Sequence, residues 1–264
     1  MQRMLLALTL TLGVTAMAQQ PTTAASGPTF EVATIKPSAP GQAGRSLGWN
    51  KRRFWAHDTT LTQMVQFAYN VHAKQIVDEP AWFDNETFDI EAQVESGEPS
   101  VAQWHTVLQR LLADRLGMTL HHEERVMPAY VLEVAKSGTK LSASAQPDKG
   151  ADDMPPGVRV QRGPHMWLRV LGTKGSMPEL AAELQRVEMD RPVVDKTELP
   201  GRYNFTLTAT SIKPFFAGET APTGDDAPPE LFTALREQLG LRLEPQKTAV
   251  DCLVLNKVAK PVMD

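Results

Sequence analysis

The phrase LLADRLGMTL, residues 111–120, returns as ALREQLGLRL, residues 234–243. A chain that writes one helix-and-strand phrase twice must house both copies, and this narrows its folds more than any other feature. A shift of 123 positions places Leu108, Leu112, Leu116, Gly117 and Leu120 on Leu231, Leu235, Leu239, Gly240 and Leu243. Val131 and Leu132 then fall on Val254 and Leu255. Leucines at i, i+4 and i+8 mark one face of a helix. The glycine sits where a left-handed residue commonly ends one. Trp104 and Leu111 widen the stripe in the first copy, as Phe232 does in the second. Each helix is expected to lead into a strand, a turn and a second strand. The last strands are YVLEVA (130–135) and CLVLNKV (252–258), both rich in β-formers.

The preceding segments repeat as well. Leu61, Met64, Val65, Ala68 and Val71 form an apolar stripe, and Met177, Leu180, Ala181, Leu184 and Val187 form another at the same spacing. Thr60 with Gln63, and Ser176 with Glu179, read as capping boxes, in which hydroxyl and longer side chain bond each other's backbone amides. Pro178 is tolerated in that first turn, where its missing N–H would be unpaired anyway. Val77-Asp78 matches Val194-Asp195, and Phe88-Asp89-Ile90 matches Tyr203-Asn204-Phe205. Four element types recurring in one order favour internal duplication over chance. The expected fold is therefore α+β: two related halves, 28–136 and 158–264, each with antiparallel strands and two helices. The paired strands between helices favour hairpins over βαβ units. A linker rich in Pro, Gly, Ser and Asp covers 137–157, and a flexible insertion covers 213–229. The stripe of Trp104, Val107, Leu108, Leu111 and Leu112 is wide for a surface helix, so the halves should pack on each other.

The start of the chain, MQRMLLALTLTLGVTAMAQQ, carries Arg3, an apolar run over 4–14 and Ala16-Met17-Ala18. This is the three-part pattern of a signal peptide cleaved after residue 18. The run is short for a bilayer span, which takes roughly 20 residues, and no cysteine follows the cleavage motif to carry a lipid. No later segment is apolar enough to span. The expected compartment is the periplasm or the extracellular space. A formal net charge of -4 gives no footprint for nucleic acid. Cys252 is the one cysteine, so no internal disulfide forms. Its neighbours Leu253, Val254 and Leu255 mark a buried strand residue.

Motifs with chemistry are sparse. His121, His122, Glu123 and Glu124 tempt as metal ligands, but on a strand only alternate residues share a face. That leaves two ligands a side where zinc takes three or four, so a solvated edge or turn is expected and no metal. There is no G-x-S-x-G, no H-E-x-x-H and no Gly-rich phosphate loop. Asp152-Asp153 and Asp225-Asp226 read as loop solvation. Asp78 and Asp195 read as turn caps, and Trp82 as a core or lid aromatic. Lys51, Arg52, Arg53, Phe54 and Trp55 mix basic and aromatic groups; a solvated hairpin is the plain reading, contact with an anionic polymer or glycan the functional one.

FEVATIKPS, TTLTQMVQFAYNV, EPAWFDNETFDIEA, LLADRLGMTLHHEERVMPAYVLEVAKSGTKL, PVVDKTELPGRYNFTL and LFTALREQLGLRLEPQKTAVDCLVLNKVAKP together resemble the soil-associated family of exported bacterial proteins, built on a domain of unknown function. The resemblance covers nearly the whole mature chain. It implies large paralogous sets in soil bacteria, with some relatives fused to membrane metallopeptidases of the β-lactam-sensor type, and hence a role in envelope sensing. It supplies no catalytic residues. Glu198 departs from the family's usual glycine, and Asn204 from its usual aspartate.

Three readings follow. The first is an exported, non-enzymatic binding or interaction protein; the second an envelope hydrolase or a regulator of an envelope peptidase; the third a stress-related surface protein without a small ligand. No catalytic residue, binding residue, metal or cofactor is assigned. The sequence names no partner, and an envelope protein or a glycan fits the compartment. Mass spectrometry of the native protein should find a chain beginning at Gln19. An intact N-terminus on cytoplasmic protein would refute export.

Overall fold

The computed structural model describes residues 29–39, 44–143, 156–214, 218–224 and 227–261. Residues 1–18, read as a signal peptide, lie outside them, as do Asp152, Asp153, Asp225 and Asp226. The chain runs β1 (Phe30–Pro37), β2 (Ser46–Asn50), β3 (Arg53–Thr60), α1 (Leu61–Tyr69), β4 (Ile76–Val77), α2 (Trp82–Asn85), β5 (Thr87–Val94), α3 (Val101–Leu116) and β6 (Thr119–Val134). It continues through β7 (Ser142–Ala143), β8 (Gly157–Arg162), β9 (Trp167–Gly175), α4 (Met177–Val187), β10 (Val193–Asp195) and β11 (Tyr203–Thr210). The short helix α5 (Leu231–Ala234) then passes into a π-helical turn, Leu235–Leu239, before β12 (Leu241–Lys257).

The local signals act as their chemistry requires. Thr60 and Ser176 close capping boxes with Gln63 and Glu179, and Ser100 does the same with Gln103 at the head of α3. Gly117 and Gly240 end their helices with φ of 57° and 66°. The left-handed region costs glycine nothing, and it frees the next residue to start a strand.

The result is a mixed α+β molecule with three four-stranded sheets. The first has order β1-β5-β3-β2 and the second β7-β11-β9-β8, matching strand for strand. Each buries its inner face under helices. Phe54 and Ile90 pack with Leu61, Met64, Trp104, Leu108 and Leu112 of α1 and α3. Leu168 and Val170 pack with Leu180 and Leu184 of α4, Leu231 of α5 and Leu235 of the π-helical turn. Each such leucine contributes roughly 1.5–3 kcal/mol by leaving water.

The third sheet, β10-β6-β12-β4, joins the two. Its centre is an antiparallel ladder running from Thr119 opposite Lys257 to Val134 opposite Leu241. Val126 faces Ala249 at the middle, Leu120 faces Leu255, and Leu132 faces Leu243. The outer strands add on in parallel: Ile76 and Val77 beside Leu253 and Val254, and Val193 and Val194 beside Tyr130 and Val131. The two outer contacts therefore share one register, each made across the halves.

Three expectations need correction. No turn breaks the segment after either long helix; β6 and β12 are continuous because each is the other's partner from end to end. Pro128 and Pro245 lie where no further strand pairs among the described residues, a strand setting that tolerates proline. The paired strands between helices are not hairpins, for β4 and β5 enter different sheets, as do β10 and β11. The segment read as linker is partly built into the fold: Lys140 donates to Leu239 O at 2.9 Å, and Ser142–Ala143 pairs with β11.

The halves also exchange material. Leu253 and Leu255 of β12 complete the first core, and Leu132 of β6 joins the second. The broad stripe of α3 is covered by its own sheet, α1 and these visitors. Residues 28–140 expressed alone are thus expected to aggregate, dimerise or lose much of their stability, since Leu132, Tyr130 and Val134 lose their cover. A monomeric fragment with the denaturant midpoint of the mature chain would refute the exchange as a stabilising feature.

Candidate functional site

Side chains alternate across a strand. In the first sheet, Phe54 and Ala56 of β3 and Ile90 and Ala92 of β5 point to the core. Arg53, Trp55 and His57 must then point out, together with Glu91 and Gln93. With Asn50, Lys51 and Arg52 from the β2–β3 turn they line an open cleft of about 550 Å³. Lys51 turns the hairpin with φ 47°. Trp55 faces Gly48 across the ladder, and its six-membered ring sits over that glycine. A β-carbon at Gly48 would come within 2.7 Å of Cζ2. The missing side chain lets the indole lie close to the sheet.

Glu91 is the electrostatic centre of the cleft. Its Oε1 lies 3.3 Å from His57 Nε2, and its Oε2 lies 3.4 Å from an Arg53 nitrogen. Both pairs are open to solvent, and such pairs are worth ~0–1 kcal/mol. They can reopen for a ligand at little cost. Arg52 is held more firmly. It pairs with Glu31 at 3.0 Å and donates through Nε to Val94 O at 2.9 Å.

A bulge sets where this row points. Between Ala56 and Thr59 the register of β3 shifts, and Asp58 takes φ 50°. The Asp58 amide and the Ser38 hydroxyl donate to Asp89 Oδ1 at 3.0 and 2.7 Å. Burial alone would raise the Asp89 pKa, but the Asp58 amide and Ser38 hydroxyl, helped by the charges of His57 and Lys36, hold it below its ordinary 3.8. The second sheet repeats the device: Lys174, φ 48°, donates its amide to Asn204 Oδ1 at 2.7 Å. Asparagine there keeps the one thing the bulge needs, an acceptor.

The residues singled out from sequence fall in different places. Residues 121–124 are exposed on β6, as a solvated edge. His121 Nδ1 lies 3.0 Å from Asn256 Oδ1, His122 Nδ1 lies 2.8 Å from Asp251 Oδ2, and Glu123 pairs with Arg125 at 3.0 Å. Among the described residues no group of three or more His, Cys, Asp or Glu is placed to hold a metal ion. Asp195 caps its turn by accepting from the Thr197 amide at 2.9 Å. Asp78 instead has φ 62° and reaches Arg125 at 3.4 Å. Trp82 is a half-buried lid, edge-on to Phe83 and Phe88, with Lys260 Nζ 5.5 Å from its ring centre. Cys252 is fully buried beside Met127, and burial raises its thiol pKa. Of these, only Lys51, Arg52, Arg53 and Trp55 enter the cleft; Phe54, in the same run, points into the first core. Gly48, His57, Glu91 and Gln93 join the cleft without having been foreseen. A glycine inside a strand, two residues before a hairpin, was the available signal.

The family model described as Protein of unknown function (DUF3738) matches residues 62–258. No curated protein and no solved structure matches the chain.

Asp89→Ala should cost about 1–3 kcal/mol, because it strands a buried amide and hydroxyl. Asp89→Asn keeps an acceptor and should cost less at pH 7. The two proteins should differ in acid. A carboxyl with a lowered folded pKa contributes stability that is full above its unfolded pKa and is lost as pH falls through the folded value. Denaturant midpoints of the parent should therefore drop faster below about pH 4 than those of Asp89→Asn. Parallel pH profiles would refute this role of Asp89.

Proposed function

We propose, for a chain that belongs to the DUF3738 family of proteins of unknown function, the role of an exported, non-enzymatic binding module that holds an acidic glycan on the outer face of its first sheet. The observation that carries this reading is Trp55 laid over Gly48 in an otherwise polar, cationic cleft. A sugar ring has an apolar C–H face and a polar rim. The indole suits the first, since aromatic rings supply contact area at small entropic cost. Asn50, Gln93 and Glu91 suit the hydroxyls. Lys51, Arg52 and Arg53 outnumber Glu91 and the Glu31 that pairs with Arg52 in a chain whose net charge is -4, so the local field favours an anionic polymer.

Export is supported by the signal-like N-terminus and by the resemblance to exported soil-bacterial proteins. Internal duplication is supported by the matched strand orders and the shared register of the outer contacts. In that account the halves have diverged in use. Leu171 faces Thr206 in the second sheet as Trp55 faces Glu91 in the first, and Arg159 stands opposite Leu171 where Gly48 stands opposite Trp55. At that position the second sheet has neither the indole nor the gap beneath it; its own tryptophan, Trp167, lies against Gly163 at the start of β9.

An envelope hydrolase is the competing reading. The cleft lining offers one carboxylate and no Ser, Thr or Cys, whereas glycoside hydrolysis commonly takes a pair of carboxyls. This favours binding over turnover.

Affinity electrophoresis of the mature chain tests the reading, with polygalacturonate, dextran or single-stranded DNA cast in the gel. Retardation by polygalacturonate is expected, weakening with salt. Trp55→Ala, and Gly48→Val, which displaces the indole, should each weaken it about tenfold, the size of one lost aromatic contact. Equal retardation of parent and Trp55→Ala, or a preference for DNA, would overturn the proposal. Release of reducing ends would favour the hydrolase.

A further inference from the structure

A second cleft, of about 680 Å³, lies against the second core. It is built where α5 gives way to its π-helical turn. In the first half, α3 carries Leu108, Leu112 and Leu116 through regular turns. In the second, the segment carrying Leu235 and Leu239 opens to the wider π spacing. Such turns occur mostly as local departures and frequently mark functional sites. Here the widened helix supplies Phe232 and Arg236 to the cleft, β6 supplies Tyr130, and the chain just after β6 supplies Lys136.

The chemistry of the lining is lopsided. Tyr130 and Phe232 form an aromatic wall, with ring centres 5.8 Å apart. The Arg242 guanidinium also lines the cleft but is already spent on two carboxylates, 2.5 Å from Glu133 and 3.7 Å from Glu244, and Glu244 lines the cleft beside it. Lys136 and Arg236 are exposed, and no hydrogen bond or ion pair engages either among the described residues. A concave site with an apolar wall and a few unspent polar groups is the usual form of a small-molecule pocket. We infer that this cleft binds a small planar organic anion, an aromatic carboxylate, with its ring against Tyr130 and Phe232 and its charge met by Lys136 and Arg236. The guanidinium suits a carboxylate through paired donors. This site shares no residue with the glycan cleft and stands or falls without it.

The probe is 2-naphthoate, titrated calorimetrically into the mature chain, with 2-naphthylmethanol and inorganic phosphate as comparisons. Saturable binding of 2-naphthoate is expected, with the neutral alcohol and phosphate each at least about tenfold weaker, since neither satisfies both wall and cations. The double variant Lys136→Gln/Arg236→Gln touches only exposed groups and should melt like the parent. It should bind 2-naphthoate at least about tenfold more weakly. Trp55→Ala should bind it as the parent does. The inference is overturned by an absence of saturable binding, by equal binding of the alcohol or of phosphate, or by a double variant that binds unchanged. Loss of binding in Trp55→Ala would place the probe in the first cleft and overturn it as well.

Discussion

The ladder between β6 and β12 is the interaction on which the rest of the structure depends. Residues far apart in sequence meet there, and both cores close against its ends: Leu253 and Leu255 on one, Leu132, Leu241 and Leu243 on the other. A small third cluster of Ala129, Val250 and Cys252 holds its middle together. Cross-strand pairs contribute ~0.2–1 kcal/mol each, so no single pair matters greatly. The register does. A slip by one residue would turn every leucine of one strand from core to solvent. Such long two-stranded elements also risk pairing with other chains along their open edges. The charged run at 121–125 and the prolines at 128 and 245 suit that danger, for charge and proline are how exposed strands discourage new neighbours.

Much of this was legible in the sequence because it is local. Apolar spacing gave the helices, the pairs Thr60–Gln63 and Ser176–Glu179 gave the starts of α1 and α4, and Gly117 and Gly240 gave the ends of α3 and of the π-helical turn. What could not be read was which strand joins which sheet. β4 and β10 are only two and three residues long, and strand pattern of that length says nothing about its partner. The continuity of β6 and β12 was not legible either, because it rests on each strand having the other as its partner along its whole length. Cys252 was placed correctly from its apolar neighbours alone.

The candidate site shows the same division. The basic and aromatic run at 51–55 is visible in one line of sequence. Glu91 and Gln93 arrive from β5 only when Trp55 is set opposite Glu91 and Arg53 opposite Gln93. Gly48 acquires its meaning from what lies above it. Asn204 is a useful contrast: it stands where the first sheet has Asp89, and its side-chain oxygen takes the Lys174 amide as Asp89 takes that of Asp58. The identity of the residue was visible, and the atom that mattered was not.

The exchange of strands has a temporal side. A nascent chain emerges from its N-terminus, and domains tend to close in that order. Here the first core waits for Leu253 and Leu255, which arrive only after the first and second sheets and all the described helices have been synthesised. The N-terminal half therefore cannot finish early and become a rigid obstacle while the remainder is still being made. If the chain leaves the cytoplasm as proposed, late closure keeps the polypeptide threadable until its last strand is released.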